Sequence, residues 1–145
     1  MKLLYLDNCS LNRPYDSQEN IKIRIETESK LYIQSKIREN IYSLIWSYIL
    51  EYENNANPYE IRKDEILEWK KISTIHIEPS ENVLHRAELL SKYNIKSKDA
   101  LHLSCAIEGN ADYFITTDQN LIKKKGNISE LQIINPINFI ESLEN

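Results

Sequence analysis

The stretch that decides the fold is Ser97-Lys98-Asp99-Ala100-Leu101-His102-Leu103-Ser104-Cys105-Ala106-Ile107-Glu108-Gly109, followed at once by Asn110-Ala111-Asp112-Tyr113-Phe114-Ile115-Thr116-Thr117-Asp118. Ser97 is placed to cap a helix that runs from Lys98 to about Glu108 and ends at Gly109. Ala100, Leu101, Leu103, Cys105, Ala106 and Ile107 make that helix apolar nearly all round, which predicts burial against a sheet. Asp112 to Thr116 is a β-rich run, so a buried helix feeds a strand through a tight turn. One acid, Asp99, heads the helix, and another, Asp118, follows the strand.

Working outward, the same alternation repeats. Lys2 to Leu6, Ser43 to Trp46, Ser73 to Ile77 and Leu131 to Ile134 are short apolar or β-rich runs that bring the expected strands to five. Helical patterns fill the gaps. Asp16 with Glu19 has capping-box spacing ahead of a pattern reaching about Glu39. Asn57-Pro58-Tyr59-Glu60 sets a cap, a first-turn proline and an N3 glutamate ahead of Ile61, Glu65, Trp69 and Ile72, and Asn135-Pro136 repeats the device. Ser80 is placed to cap a helix carrying Val83, Ala87 and Leu90. Strands alternating with helices predict an α/β sandwich on a mainly parallel sheet. The chain has 145 residues, no internal repeat and no Pro/Gly/Ser linker, which predicts a single domain over 1–145.

Composition excludes several functions. The two glycines, Gly109 and Gly126, cannot write G-x-G-x-x-G or a P-loop. Cys9, Cys105 and three histidines offer neither a disulfide framework nor a Cys/His zinc cluster. The apolar start ends at Asp7, too soon for a signal-peptide core, and no run approaches the roughly 20 residues that span a bilayer, so a cytoplasmic protein with no membrane segment is expected. Formal net charge is -4, so a nucleic-acid partner requires local basic patches or a bound cation.

In an open parallel sheet ligands bind beyond the carboxyl ends of the strands. Asp7 closes Lys2 to Leu6, Asp118 follows Tyr113 to Thr117, Glu51 lies just past Ser47, which is placed to cap the helix after the second strand, and Asp99 heads the buried helix. Taken singly, each aspartate reads as a cap, a turn or a helix-dipole residue, and Glu51, like Glu53, as a solvated helix glutamate. Taken together on one sheet edge, four carboxylates repel unless protonated or bound to a cation, and hard oxygen donors suit Mg²⁺ or Mn²⁺.

Tyr5-Leu6-Asp7-Asn8, Ser47-Tyr48-Ile49-Leu50-Glu51, Lys98 to Ala106 and Ala111 to Asp118, in this order, resemble the PIN-domain superfamily, which includes the VapC-like toxin ribonucleases of bacterial toxin-antitoxin pairs. The D-A-L-x-L-x-x-A and A-D-x-x-x-T-x-D segments are the most specific part, and the similarity covers essentially the whole chain. The resemblance implies a three-layer α/β/α sandwich with a mainly parallel five-stranded sheet and a metal-dependent endoribonuclease. It makes Asp7, Glu51, Asp99 and Asp118 the catalytic, metal-binding quartet, with Asp7 and Asp99 as principal ligands, Glu51 and Asp118 acting through water, and Thr116 in support. Family members commonly carry Thr or Ser directly after the first aspartate, where Asn8-Cys9-Ser10 stands here, leaving Asn8 or Ser10 to support the site. Asn120 takes the place of a frequent further acid, which implies a weaker second metal. Implied partners are an RNA substrate, an antitoxin protein and a second copy of the chain.

Arg13, in the loop after the first strand, is either a substrate clamp or a loop anchor. Lys123 and Lys124 either contact RNA phosphates or form a solvated helix end. His102 reads as a packed histidine. Two other functions compete. One is a non-catalytic PIN-like module binding RNA or protein, with the acids kept as a structural cation site. The other, a phospho-accepting receiver domain, calls for paired acids after the first strand and a lysine after the last; Asn8 follows Asp7, and Asn135-Pro136 ends the final strand.

Overall fold

Leu4, Tyr5 and Leu6 are consecutive residues with at most 1% of their surface exposed, a pattern that a strand covered on both faces produces. They belong to β1 (Lys2–Leu6), the central strand of the sheet. The computed structural model describes residues 1–143. The other strands are β2 (Tyr42–Ser47), β3 (Ile75–Ile77), β4 (Tyr113–Ile115) and β5 (Gln132–Ile134). The order is β3-β2-β1-β4-β5, every pair parallel, with Leu4 opposite both Leu44 and Tyr113 and Leu6 opposite Ile115. Tyr5 stacks on Phe114 across the β1–β4 pair, ring centroids 5.2 Å apart.

Among the described residues eight α-helices connect and follow the strands: α1 (Asn8–Asn12), α2 (Ile21–Arg38), α3 (Tyr48–Asn55), α4 (Glu60–Ile72), α5 (Glu81–Ser91), α6 (Ser97–Glu108), α7 (Gln119–Ile122) and α8 (Pro136–Leu143). Parallel neighbours require right-handed crossovers, so the connections β1→β2 and β2→β3 cover one face, and the return from β3 to β4 covers the other. Accordingly α2 packs with α8 and faces α4 across a cleft, while α5 packs on α6. The result is the expected three-layer α/β/α sandwich. Among the described residues no helix is long and apolar enough to cross a membrane.

Ser47 and Ser80 cap α3 and α5, as expected. Elsewhere the caps differ. Asn20, whose Oδ1 accepts from the Ile23 N–H at 3.1 Å, starts α2, because Asp16 ends a 3-10 turn (Arg13–Tyr15) and pairs with Arg13. Asn57 accepts from the Tyr59 N–H one turn ahead of α4, and Ser97 is the first residue of α6 rather than its cap. The left-handed residues after α2, α5 and α6 are Asn40, Asn94 and Asn110, with φ of 61°, 63° and 61°.

Gly109 itself has φ of -81°, so its glycine answers to space rather than to backbone sign. A Cβ there would lie 2.7 Å from Ile45 Cδ1 and 3.4 Å from Ile77 Cδ1, and Ile45 is fully buried. Gly109→Ala is therefore expected to cost about 1–3 kcal/mol by overpacking. Thermal melting checks this, at about 2–4 °C per kcal/mol for a chain this long. An unchanged midpoint would mean that Ile45 swings clear.

Candidate active site

The strand order reverses between β1 and β4, since the chain leaves β1 toward β2 and returns on the far side to β4. This switch point opens a crevice at the carboxyl edge of the sheet. Asp7 follows β1, Asp118 follows β4, and α6 presents Asp99 in its first turn, so topology alone brings three acids to one place. Local bonding fixes two of them. Asp7 Oδ1 accepts from the Ser10 N–H at 3.0 Å as the cap of α1, and the Ser10 hydroxyl donates to the Ile115 carbonyl at 3.0 Å, tying this turn to β4. Asp118 Oδ1 accepts from the Asn120 and Leu121 N–H groups as the cap of α7, and its own N–H donates to Thr116 Oγ1 at 3.0 Å.

Both aspartates therefore do the capping work that each could do alone, and they also share a field. Burial pushes the Asp7 carboxyl up to about 6, with the nearby Asp99 charge adding to it; the Thr116 hydroxyl, the Ser10 N–H and His102 hold it back. Asp99 is raised by burial first and by Asp118 next, with Glu53 contributing and His102 and Lys96 opposing. The Cys9 thiol is pushed up to about 12 by desolvation and then by Asp7, Asp118 and Asp99, which keeps it a neutral thiol. Among the described residues no Lys, Arg or His forms an ion pair with Asp7, Asp99 or Asp118. A cleft of about 300 Å³ exposes Asp99, Asp118 and Asn120 beside Lys96 and Lys124.

Glu51 departs from the expected quartet. Its carboxylate pairs with Lys70 of α4, whereas Glu53 forms a hydrogen bond with His102 Nε2 and contributes to the field at Asp99. Residues two apart on a helix do not share a face, so α3 cannot present both. The Glu51 side meets α4, and the Glu53 side meets α6. His102 is buried, as expected, and its Nδ1 lies 2.6 Å from the Tyr5 hydroxyl, itself 2.6 Å from Ser47 Oγ. The sequence held a signal for Glu53: His102 stands one turn after Asp99 on α6, so whatever His102 binds lies near Asp99.

Arg13 is spent on structure. Its guanidinium donates to Asp16 at 3.0 Å and sits 3.4 Å from the buried Glu26, which also accepts from Asn135 Nδ2, so Arg13 is a loop anchor. Asn8 Oδ1 accepts from Asn12, and Ser10 is fully buried, so both hold the α1 turn. Lys124 lines the cleft, whereas Lys123 is exposed and does not.

The donor set fits a divalent cation. It consists of hard carboxylate oxygens, one set of them buried, whose charges raise one another's pKa and which, among the described residues, form no ion pair with a Lys, Arg or His. Among the described residues no three His, Cys, Asp or Glu side chains converge closely enough to hold an ion unaided.

A parallel sheet with acids gathered at its switch point defines a class, and comparison with known proteins places the chain within it. The PIN domain profile matches residues 6–127. The chain belongs to the PIN domain family. Among solved structures it is similar to VapBC2 from Rickettsia felis bound to a DNA fragment from their promoter, with TM-score 0.57 and 19% identity over 92% of this chain and 98% of that one. It is also similar to VapBC-1 from nontypeable Haemophilus influenzae, with TM-score 0.53 and 18% identity over 92% and 98%. At such identities the likeness speaks for the fold. Comparison with curated protein sequences finds no match.

Proposed function

We propose that this PIN domain is a metal-dependent endoribonuclease that hydrolyses RNA phosphodiesters and serves as the toxin of a toxin-antitoxin pair. The observation that carries the proposal is the set of Asp7, Asp99 and Asp118 at the sheet's switch point, three carboxylates that, among the described residues, form no ion pair. Asp7 and Asp99 are the principal ligands for Mg²⁺ or Mn²⁺, and Asp118 completes the set. Thr116 holds Asp7 in orientation, and Glu53, steadied by His102, takes the place first expected of Glu51. Such an ion, when bound, lowers the pKa of water and neutralises charge developing on the scissile phosphate. Lys96 and Lys124 receive flanking phosphates at the rim of the cleft, and Asn120 offers it an amide. VapBC neighbours support an antitoxin as protein partner. Exposed Tyr52, Tyr59 and Ile61 support pairing with a second copy.

A second reading, a non-catalytic module with a structural cation site, draws on the fact that both Asp7 and Asp118 cap helices. Incubating the purified protein with RNA separates the two: the proposal expects cleavage with Mn²⁺ that EDTA abolishes, and no cleavage under either condition would favour the module. The basic rim gives a graded check. Lys124→Glu should weaken RNA binding and flatten its salt dependence by about one counterion, while Lys123→Glu should do little. Equal effects would return both lysines to a solvated helix end.

A further inference from the structure

Buried lysines are almost always paired. Lys30, in the middle of α2, is not: it is 4% exposed, and among the described residues its ammonium makes no hydrogen bond or ion pair. Burial, and then the like charge of Arg38, push it down to about 7, which Glu65 only partly offsets. One turn on, Gln34 is also 4% exposed, and its Nε2 has no partner. One turn further, Arg38 lies over the Trp69 ring, 4.7 Å from its centroid, with no carboxylate in reach of its guanidinium. Spacing of four puts these three donors in one row on α2. The row lines an open cleft between α2 and α4 that shares no residue with the acidic cluster.

We propose that this cleft is an oxyanion site that takes a single carboxylate on an apolar body, bound by Lys30, Gln34 and Arg38. Among the described residues no acid forms an ion pair with Lys30 or Arg38, and those nearby have other partners. Glu65 accepts from the Tyr15 hydroxyl, Glu68 pairs with Lys71 at 3.1 Å, and Glu39 with Lys36 at 3.2 Å. Their presence also selects the ligand. A polyphosphate chain would meet the Glu65 and Glu68 carboxylates that also line the cleft, whereas one compact anion has room to reach the donors. Tyr15, Leu31 and Trp69 supply the apolar wall against which its body packs. An oxyanion here gains a charge-assisted bond from Lys30, whose side chain is buried along the cleft and has no carboxylate partner among the described residues. The proposal does not rest on the nuclease reading.

Two probes distinguish the sources of such a carboxylate: phenylacetate for a free small acid, and the capped peptide acetyl-Leu-Glu-Leu-amide for an acidic side chain of a partner. Each is titrated into the ¹⁵N-labelled full chain while the Gln34 side-chain amide signals are followed. Saturable shifts with either probe, absent with phenylacetamide, are expected, and the responding probe names the source. Lys30→Met should weaken binding at least tenfold while melting no lower than wild type, since it removes a charge that burial disfavours and that has no ion pair. If that variant fails to fold, Arg38→Gln, at an exposed position, should still weaken binding several-fold. Shifts equal for phenylacetate and its amide, no response to either carboxylate, or binding unchanged in the variants would overturn the proposal.

Discussion

Asp7→Asn is expected to lower Mn²⁺-dependent RNA cleavage about a thousandfold or more while raising the stability of the metal-free protein. The activity loss follows from removing a ligand charge that helps hold the ion, an interaction worth several kcal/mol in the transition state at about 1.4 kcal/mol per factor of ten. The stability gain follows from proton linkage. Asp7 titrates near 6 in the native protein against 3.8 when unfolded, because burial disfavours its charge. Its contribution to stability is therefore complete below pH 3.8 and is lost as the pH rises through about 6, a change of about 3 kcal/mol. Asp99 is shifted in the same direction. Metal-free wild type should thus melt at progressively lower temperature between pH 4 and 7, and Asp7→Asn should show a flatter profile. Asparagine retains the oxygen that caps α1, so the cap survives. Mn²⁺ at a hundredfold excess over its dissociation constant should restore about 2.7 kcal/mol to wild type and much less to the variant. Melting curves across pH, with and without Mn²⁺, provide the check. A wild type indifferent to the ion, together with a clearly destabilised variant, would make Asp7 a cap and nothing more.

The sequence announced the five strands because short apolar runs bounded by turn residues leave few alternatives, and the acids were conspicuous because they stood at strand ends. Strand order was not legible. Nothing local in Lys2–Leu6 says that β2 and β4 flank it, yet that order places Asp7 beside the loop holding Asp118. Helix caps were legible where one candidate stood alone, as at Ser47 and Ser80. They were misjudged where several competed: Asp16 lost to Asn20 because Arg13, three residues back, takes the Asp16 carboxylate. The helix ends at Gly109 as expected, and the left-handed residue after it is the neighbouring Asn110. Lys30 gave no signal at all. A lysine on an amphipathic helix reads as solvated until the position of α4 is known.

The choice between Glu51 and Glu53 shows how tertiary packing decides what helical spacing leaves open, and it yields the second large effect. Both follow Ser47 on α3, both were candidates for a solvated face, and a rotation of roughly 200° separates them. Glu51 spends its charge on Lys70, at the exposed contact with α4. Glu53, 15% exposed, is held by a chain that begins at Ser47 and passes through the buried Tyr5 and His102. A carboxylate steadied in this way beside Asp99 adds negative potential where a cation would sit, and residues in that role typically contribute 10- to 100-fold to metal affinity or activity. Glu53→Gln should accordingly lower Mn²⁺ affinity and RNA cleavage by about that factor, and Glu51→Gln should change each less than about threefold. His102→Phe should fall between wild type and Glu53→Gln in Mn²⁺ affinity, since it releases Glu53 without removing its charge. Calorimetric Mn²⁺ titration of the three variants, alongside cleavage rates, makes the comparison. Equal losses from Glu51→Gln and Glu53→Gln would mean that α3 acts on the cluster through its fold alone, and a loss confined to Glu51→Gln would restore that residue to the site.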